Sequence, residues 1–228
     1  MSAGLIQISP APDLVDQVYR GLLDAICSGA LMPGERLTQE DIAHRMDVSR
    51  QPVLQALRLL KKDGFVQDAP GRGVQVTALE PRSVRKVYEV RGALDALAAR
   101  LAAQRQFSID PMIIKNGRLA SRASNVQAMI DADLAFHHAI YLASDNELIG
   151  LSAEQHWMHL RRAMGAVLQS QAQRETLWDE HQAIALAIAD GDAQRAEKLS
   201  EDHVSRASNA LNERLTQLFP LQAQGDRR

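Results

Sequence analysis

A single cysteine, Cys27, stands in 228 residues. No internal disulfide framework and no cysteine-rich zinc ribbon can be built from it, and nothing argues for an oxidising compartment. Aromatic residues are scarce at 4%, while alanine and leucine are plentiful, a balance that favours helix over strand. No apolar run approaches the roughly 20 residues that span a bilayer. Residues 1–10 also lack the basic-then-apolar pattern of a signal peptide. The expectation is a cytoplasmic protein with no membrane partner. Nor is there a large excess of one charge: the formal net charge is −2, which alone lends no support to nucleic-acid binding. Local charge points the other way. Arg50, Arg58, Lys61, Lys62 and Arg72 share one stretch with only Asp63 and Asp68, and an electrostatic footprint needs a basic face, not a basic protein.

What is present is periodic. Leu14, Val15, Val18, Leu22, Ala25 and Ile26 recur at three- and four-residue steps, predicting a helix over about 13–28 that Gly29 and Pro33-Gly34 stop. Thr38 is placed to cap a short helix over 39–46, with Glu40 and Asp41 where the helix dipole favours acids. After the turn Asp47-Val48-Ser49, Ser49 is expected to cap a third helix over 50–63, with Pro52 in its first turn. Past Gly64 the period changes to two. Phe65-Val66-Gln67 and Val74-Gln75-Val76-Thr77 flank a Gly- and Pro-rich turn, predicting a small hairpin. From Pro81 onward only amphipathic helical segments follow, over about 82–105, 110–122, 126–143, 146–169, 173–189 and 192–217. The expected organisation is mainly α. A winged helix-turn-helix occupies 1–80, an all-α helical-bundle domain 81–220, and a frayed tail 221–228.

The order helix, helix, tight turn, helix, hairpin is that of a winged helix-turn-helix, whose third helix enters the major groove of DNA. By itself the order is also compatible with a small α+β module of no special role. The words of the sequence are more specific. PGERL (33–37), IAHRMDVSRQPV (42–53), ALRLLKKDGFV (56–66) and GRGVQV (71–76) together resemble the GntR family of bacterial regulators. EVRGALDALAARLAA (89–103) is similar to the opening of the effector domain, called FCD, in its FadR-like branch. The resemblance implies a ligand-responsive DNA-binding regulator rather than an enzyme. It places Arg50 at the start of the recognition helix, in contact with DNA. Gln51 lies equally near the groove; Arg suits the acceptor edge of guanine and Gln that of adenine. Gly71 and Gly73 let the wing backbone approach the duplex, where Arg72 reaches for the minor groove or stays a solvated turn residue. Ser49 is foremost a cap, with its hydroxyl or N–H near a phosphate. The sequence departs from the family at Leu54, where a second arginine is common, so an operator cannot be transferred from relatives.

In the helical half, polar groups interrupt apolar stripes. Ile130, Asp133, His137, Ile140 and Tyr141 share one helix face, with Asp133 and His137 at i and i+4, where two side chains can reach one ion. His181 lies on a stripe with Leu177, Ile184 and Ile188, and His203 on one with Leu199, Ala207, Ala210 and Leu211. Periodicity alone leaves two accounts level: a shared divalent transition metal (zinc, nickel or manganese), or separately satisfied buried histidines. The resemblance favours the metal, because many FCD domains carry a D-x-x-x-H pair with two later histidines. Arg91, on the stripe Val84, Val87, Leu94, Ala98, either pairs with Asp95 one turn on or grips a ligand carboxylate with its fork. The expected partners are a small carboxylate effector, a palindromic double-stranded operator, and a second copy in a two-fold homodimer. The expected role is a repressor released from its operator by that effector. Two alternatives are a metalloenzyme built on the same cluster, for which no positioned general base is found, and a regulator that senses the ion itself.

Overall fold

In the computed structural model, residues 13–123, 125–167 and 174–218 are described. The predicted tail 221–228 and the predicted helix ends at 168–173 lie outside them. The chain divides into two units, Met1–Ala78 and Leu79–Arg228.

The first unit contains helices α1 (Leu14–Cys27), α2 (Gln39–Arg45) and α3 (Arg50–Lys62), and strands β1 (Arg36–Leu37), β2 (Val66–Asp68) and β3 (Val74–Val76). Asp13 caps α1 by accepting from the Asp16 N–H at 3.0 Å, and Thr38 caps α2 by accepting from Asp41 at 3.2 Å. The expectation that Ser49 caps α3 is corrected. It occupies the N-cap position with extended backbone, but its side chain makes no capping hydrogen bond. That leaves the hydroxyl and the first-turn N–H groups of α3 facing outward. The inward faces of α1 and α3 meet through Val18, Leu22 and Ile26 against Val53, Ala56, Leu57 and Leu60, all buried.

The predicted hairpin gains a third strand: the sheet order is β1-β3-β2, antiparallel throughout, with Leu37 opposite Val74 and Val66 opposite Val76. Two residues are too few for a period of two to show in β1, which is why periodicity passes over it. The register depends on Gly73. Its φ is +92°, and a Cβ there would lie 2.6 Å from the Leu37 carbonyl oxygen, so only glycine lets β3 turn in beside β1.

The second unit is all helix among the described residues: α4 (Pro81–Gln104), α5 (Pro111–Arg122), α6 (Val126–Ala143), α7 (Glu147–Val167), α8 (Arg174–Ala189) and α9 (Ala193–Leu218). Pro81 opens α4 where a missing N–H has no cost. Asp110 and Asn125 cap α5 and α6. Ala98, Ala99, Ala102 and Ala103 form a fully buried small-residue surface on α4, which packs along α9. No helix among the described residues is long and apolar enough to cross a membrane.

Candidate nucleic-acid interface and metal centre

The outward face of α3 and the tip between β2 and β3 hold the residues expected to meet DNA. Ser49, Arg50 and Gln51 are all exposed at the start of α3, and Leu54, one turn on, is half-buried. Arg50 Nη2 lies 2.7 Å from Glu40 Oε1 of α2, with both side chains mostly in solvent. Such a surface pair contributes little, so the guanidinium exchanges readily to another partner. At the wing, Gly71, Arg72 and Gly73 are exposed. The Arg36 guanidinium donates from Nε to the Arg72 carbonyl at 2.9 Å and also from Nη2. It ties the wing tip to β1 through the Arg72 backbone, while the Arg72 residue remains exposed. Sequence reasoning missed Arg36, because a residue that acts through a loop carbonyl leaves no periodic trace.

In the second unit α6, α8 and α9 bring Asp133, His137, His181 and His203 together. All four are buried, and one ligand atom from each lies within 4.8 Å of all the others. His181 Nε2 stands 3.3 Å from His203 Nε2 and 3.4 Å from Asp133 Oδ1; His137 Nε2 is 3.9 Å from the same oxygen. An ion bonded to imidazole nitrogen at about 2.0–2.1 Å holds tetrahedral neighbours about 3.3–3.4 Å apart, so the closer pairs match a shared ion. The donor chemistry fits too: three neutral imidazoles and one carboxylate suit a borderline divalent transition metal. His137 Nε2 has no hydrogen-bond partner among the described residues, a costly arrangement for a buried polar atom unless an ion takes it up.

The ligands are held from behind. His203 Nδ1 lies 2.8 Å from Glu180 Oε2, and Arg206 Nε grips the other Glu180 oxygen at 2.7 Å. This carboxylate fixes the imidazole so that Nε2 faces the cluster. His137 Nδ1 is 3.4 Å from Asp95 Oδ2. Phe136 stacks on His181 at 4.2 Å, and Trp178 meets the same ring edge-on at 4.7 Å. Burial drives the His137 and His181 pKa values well below the ordinary imidazole range, with Arg91 adding to the shift, so both rings are neutral and ready to ligate. Burial raises the Asp133 carboxyl, and Arg91 partly offsets it. Nearby Glu180 is also partly desolvated, but its hydrogen bonds to His203 and Arg206 carry it below the ordinary value.

Arg91 meets the first of its expectations, the pair with Asp95 one turn on. Its Nε is 3.1 Å from Asp95 Oδ2, while Nη2 has no hydrogen-bond partner among the described residues. Burial opposes its charge, but Asp95 holds the pKa above the ordinary arginine value. The guanidinium carbon sits 3.9 Å from the centroid of Trp157, whose own indole N–H is likewise unpartnered. Asp95 also accepts from the Tyr141 hydroxyl. One carboxylate thus accepts from the tyrosine and lies beside the arginine and a histidine. Trp157 and Glu180 were not picked out from sequence, and Asp95 only as a partner for Arg91; Glu180 is flanked by residues of a different face, so no stripe reveals it. His138, next to the cluster in sequence, is exposed as expected.

Comparison with known proteins places these features. Residues 14–76 match the model of bacterial regulatory proteins of the gntR family, and residues 86–206 match the FCD domain. The chain is 25% identical over 211 residues to the HTH-type transcriptional repressor RspR of Escherichia coli strain K12, covering 91% of this chain and 92% of that one. Among solved structures, E. coli McbR/YncC shares the fold with a TM-score of 0.72 at 20% identity over 91% of this chain and 99% of that chain. A transcriptional regulator GntR from Rhodococcus sp. RHA1 does so at 0.71 and 21%, over 86% and 96%. The chain therefore belongs to the GntR family and is a DNA-binding, ligand-responsive transcription regulator, not an enzyme, with a winged helix-turn-helix followed by an FCD effector domain.

Proposed function

We propose that the protein is a cytoplasmic homodimeric repressor. It reads a palindromic operator with Arg50 and Gln51 and is released when a small carboxylate enters the FCD pocket, where Asp133, His137, His181 and His203 hold a divalent transition metal. The observation that carries this reading is the convergence of four buried ligand atoms beside an arginine whose fork is only half used. When bound, the ion supplies positive charge and open positions for a ligand oxygen. The protein's own groups do the rest. Arg91 Nη2 and the Trp157 N–H are donors held for the carboxylate, Asp95 keeps Arg91 oriented, and the surrounding aromatic rings exclude water. Titrating operator binding with zinc, nickel or manganese alone, with a panel of small carboxylates alone, and with both together tests the proposal. Release only by the combination is expected; release by metal alone makes the ion the signal.

At the DNA face, Gln51 and Arg50 present side chains suited to base edges. The N–H groups and hydroxyl at Ser49 suit a phosphate, and the Gly71-Arg72-Gly73 tip suits a minor groove. Arg50→Ala should weaken specific operator binding by about 1–3 kcal/mol with the fold unchanged; undiminished affinity in a salt-matched mobility-shift assay contradicts the assignment. Leu54→Arg should change sequence preference and also strengthen binding to random DNA by about one phosphate-like contact. Both DNAs must be titrated, because an unchanged ratio between them shows that Leu54 faces away from the groove.

A further inference from the structure

Two acids open α2, Glu40 and Asp41, where the helix dipole favours them. They are used differently. Asp41 turns along its own helix to Arg45, at 3.4 Å, whereas Glu40 crosses to the recognition helix and meets Arg50 Nη2 at 2.7 Å. The dipole explains an acid at this place, but not its reach to the first residue of α3. Ser49 adds no capping bond at that point. The other cations of the same stretch fall into two groups. Lys61 is held by Asp68 at 2.7 Å, while Arg58, Lys62 and Arg72 are exposed and make no ion pair among the described residues. Cations suited to phosphates are thus present without Arg50.

We propose that Glu40 is a specificity-determining residue of the DNA face, which withholds Arg50 from phosphates and leaves its fork to guanine. In water the pair is weak and Arg50 leaves it readily. Beside DNA the two destinations differ. A phosphate oxygen carries formal charge, and to reach it Arg50 must strip Glu40 of its cation next to a polyanion, where like charges repel. Guanine N7 and O6 are neutral acceptors. A guanidinium has five N–H donors, and Glu40 engages Nη2 alone, so Arg50 can keep the carboxylate and still present a two-pronged edge to the base. Towards the backbone the pair is nearly neutral; towards the groove it is a donor fork. Discrimination of this kind comes from penalising the wrong partner as much as from contacting the right one. The inference rests on the reading above in which Arg50 meets a base, and adds what keeps it from the backbone.

Fluorescence anisotropy with the full chain tests it, using a duplex that the wild type selects from a randomised pool and an unselected duplex of equal length. Glu40→Gln, with helical circular dichroism unchanged, should bind the unselected duplex about tenfold more tightly, the gain expected from one added charge-assisted contact. The dependence of log affinity on log salt should steepen by about 0.9 for each Arg50 released. On the selected duplex Arg50 is already in use, so affinity should change by less than about twofold and the ratio between the duplexes should fall at least about fivefold. In an Arg50→Ala background the same substitution should leave the salt dependence of unselected binding unchanged, because no guanidinium is there to release. Equal strengthening on both duplexes overturns the proposal and makes Glu40 a bare charge near DNA. Unchanged affinity for both overturns it as well. Full affinity of Arg50→Ala for the selected duplex removes the base reading underneath, and this proposal with it, whatever Glu40→Gln does.

Discussion

Replacing His181 with alanine should abolish stoichiometric binding of zinc, nickel or manganese and lower the melting temperature of the metal-loaded protein to that of the metal-free one. An ion that binds only the folded domain stabilises it by about 2.7 kcal/mol at 100 times its dissociation constant, and the four candidate ligands lie on α6, α8 and α9. Metal content by mass spectrometry and melting by calorimetry must move together. Asp133→Asn gives a sharper discrimination, because its sign should reverse. With metal present it should destabilise. Without metal it should be neutral or stabilising, since it removes a buried carboxylate whose ionisation burial already disfavours. Destabilisation in both states makes Asp133 an ordinary structural acid. Acid acts in the same direction as losing a ligand. The folded-state pKa values of His137 and His181 lie well below 6.5, so the unfolded chain takes up protons that the folded rings refuse. Their contribution is favourable above the unfolded value and is lost as pH falls below about 6.5, and ion affinity falls with it.

Gly117→Ala should cost about 1–3 kcal/mol or more, the range for overpacking a filled core. It should also weaken metal binding from outside the ligand set. A Cβ at Gly117 would stand 2.0 Å from two atoms of the Trp178 ring, and that ring is 1% exposed, with no room to retreat. His181 packs edge-on against the same ring, 4.7 Å between centroids. The added methyl thus presses on a ligand through one intervening ring. Gly150→Ala is the control. It is also in a helix, but the nearest atom to its Cβ is 3.9 Å away, so the change should be neutral or stabilising by about 0.5–1 kcal/mol. Equal melting temperatures for the two variants contradict the packing argument.

Long elements and the inward-facing cluster of Asp133, His137, His181 and His203 were legible in the sequence because both repeat with the helical period; a shared ion was what the resemblance implied. Asp133 and His137 lie one turn apart, and His181 and His203 each interrupt an apolar stripe, so inward direction could be read without coordinates. What the period does not carry stayed hidden. β1 is two residues long, and the Ser49 side chain does not make the bond its position invites. Asp95 was visible only as a neighbour for Arg91. Its additional grip on Tyr141 and His137 depends on how α4 approaches α6, which is a property of packing. Glu180 and Trp157 matter through one hydrogen bond and one ring face, neither of which has a signature in spacing. Arg50 was identified from resemblance, but its ion pair with Glu40 belongs to the fold.

The placement of Arg91 on α4 sets how far a local twist travels along that helix. The wing ends at Val76, α4 begins at Pro81, and no glycine or further proline interrupts the helix before Arg91. Ten residues of unbroken helix span about 15 Å. Arg91 and Pro81 are therefore two points on one stiff rod. A turn of that rod about its own axis, set at Arg91 by whatever the guanidinium holds, reaches Pro81 without a hinge to absorb it.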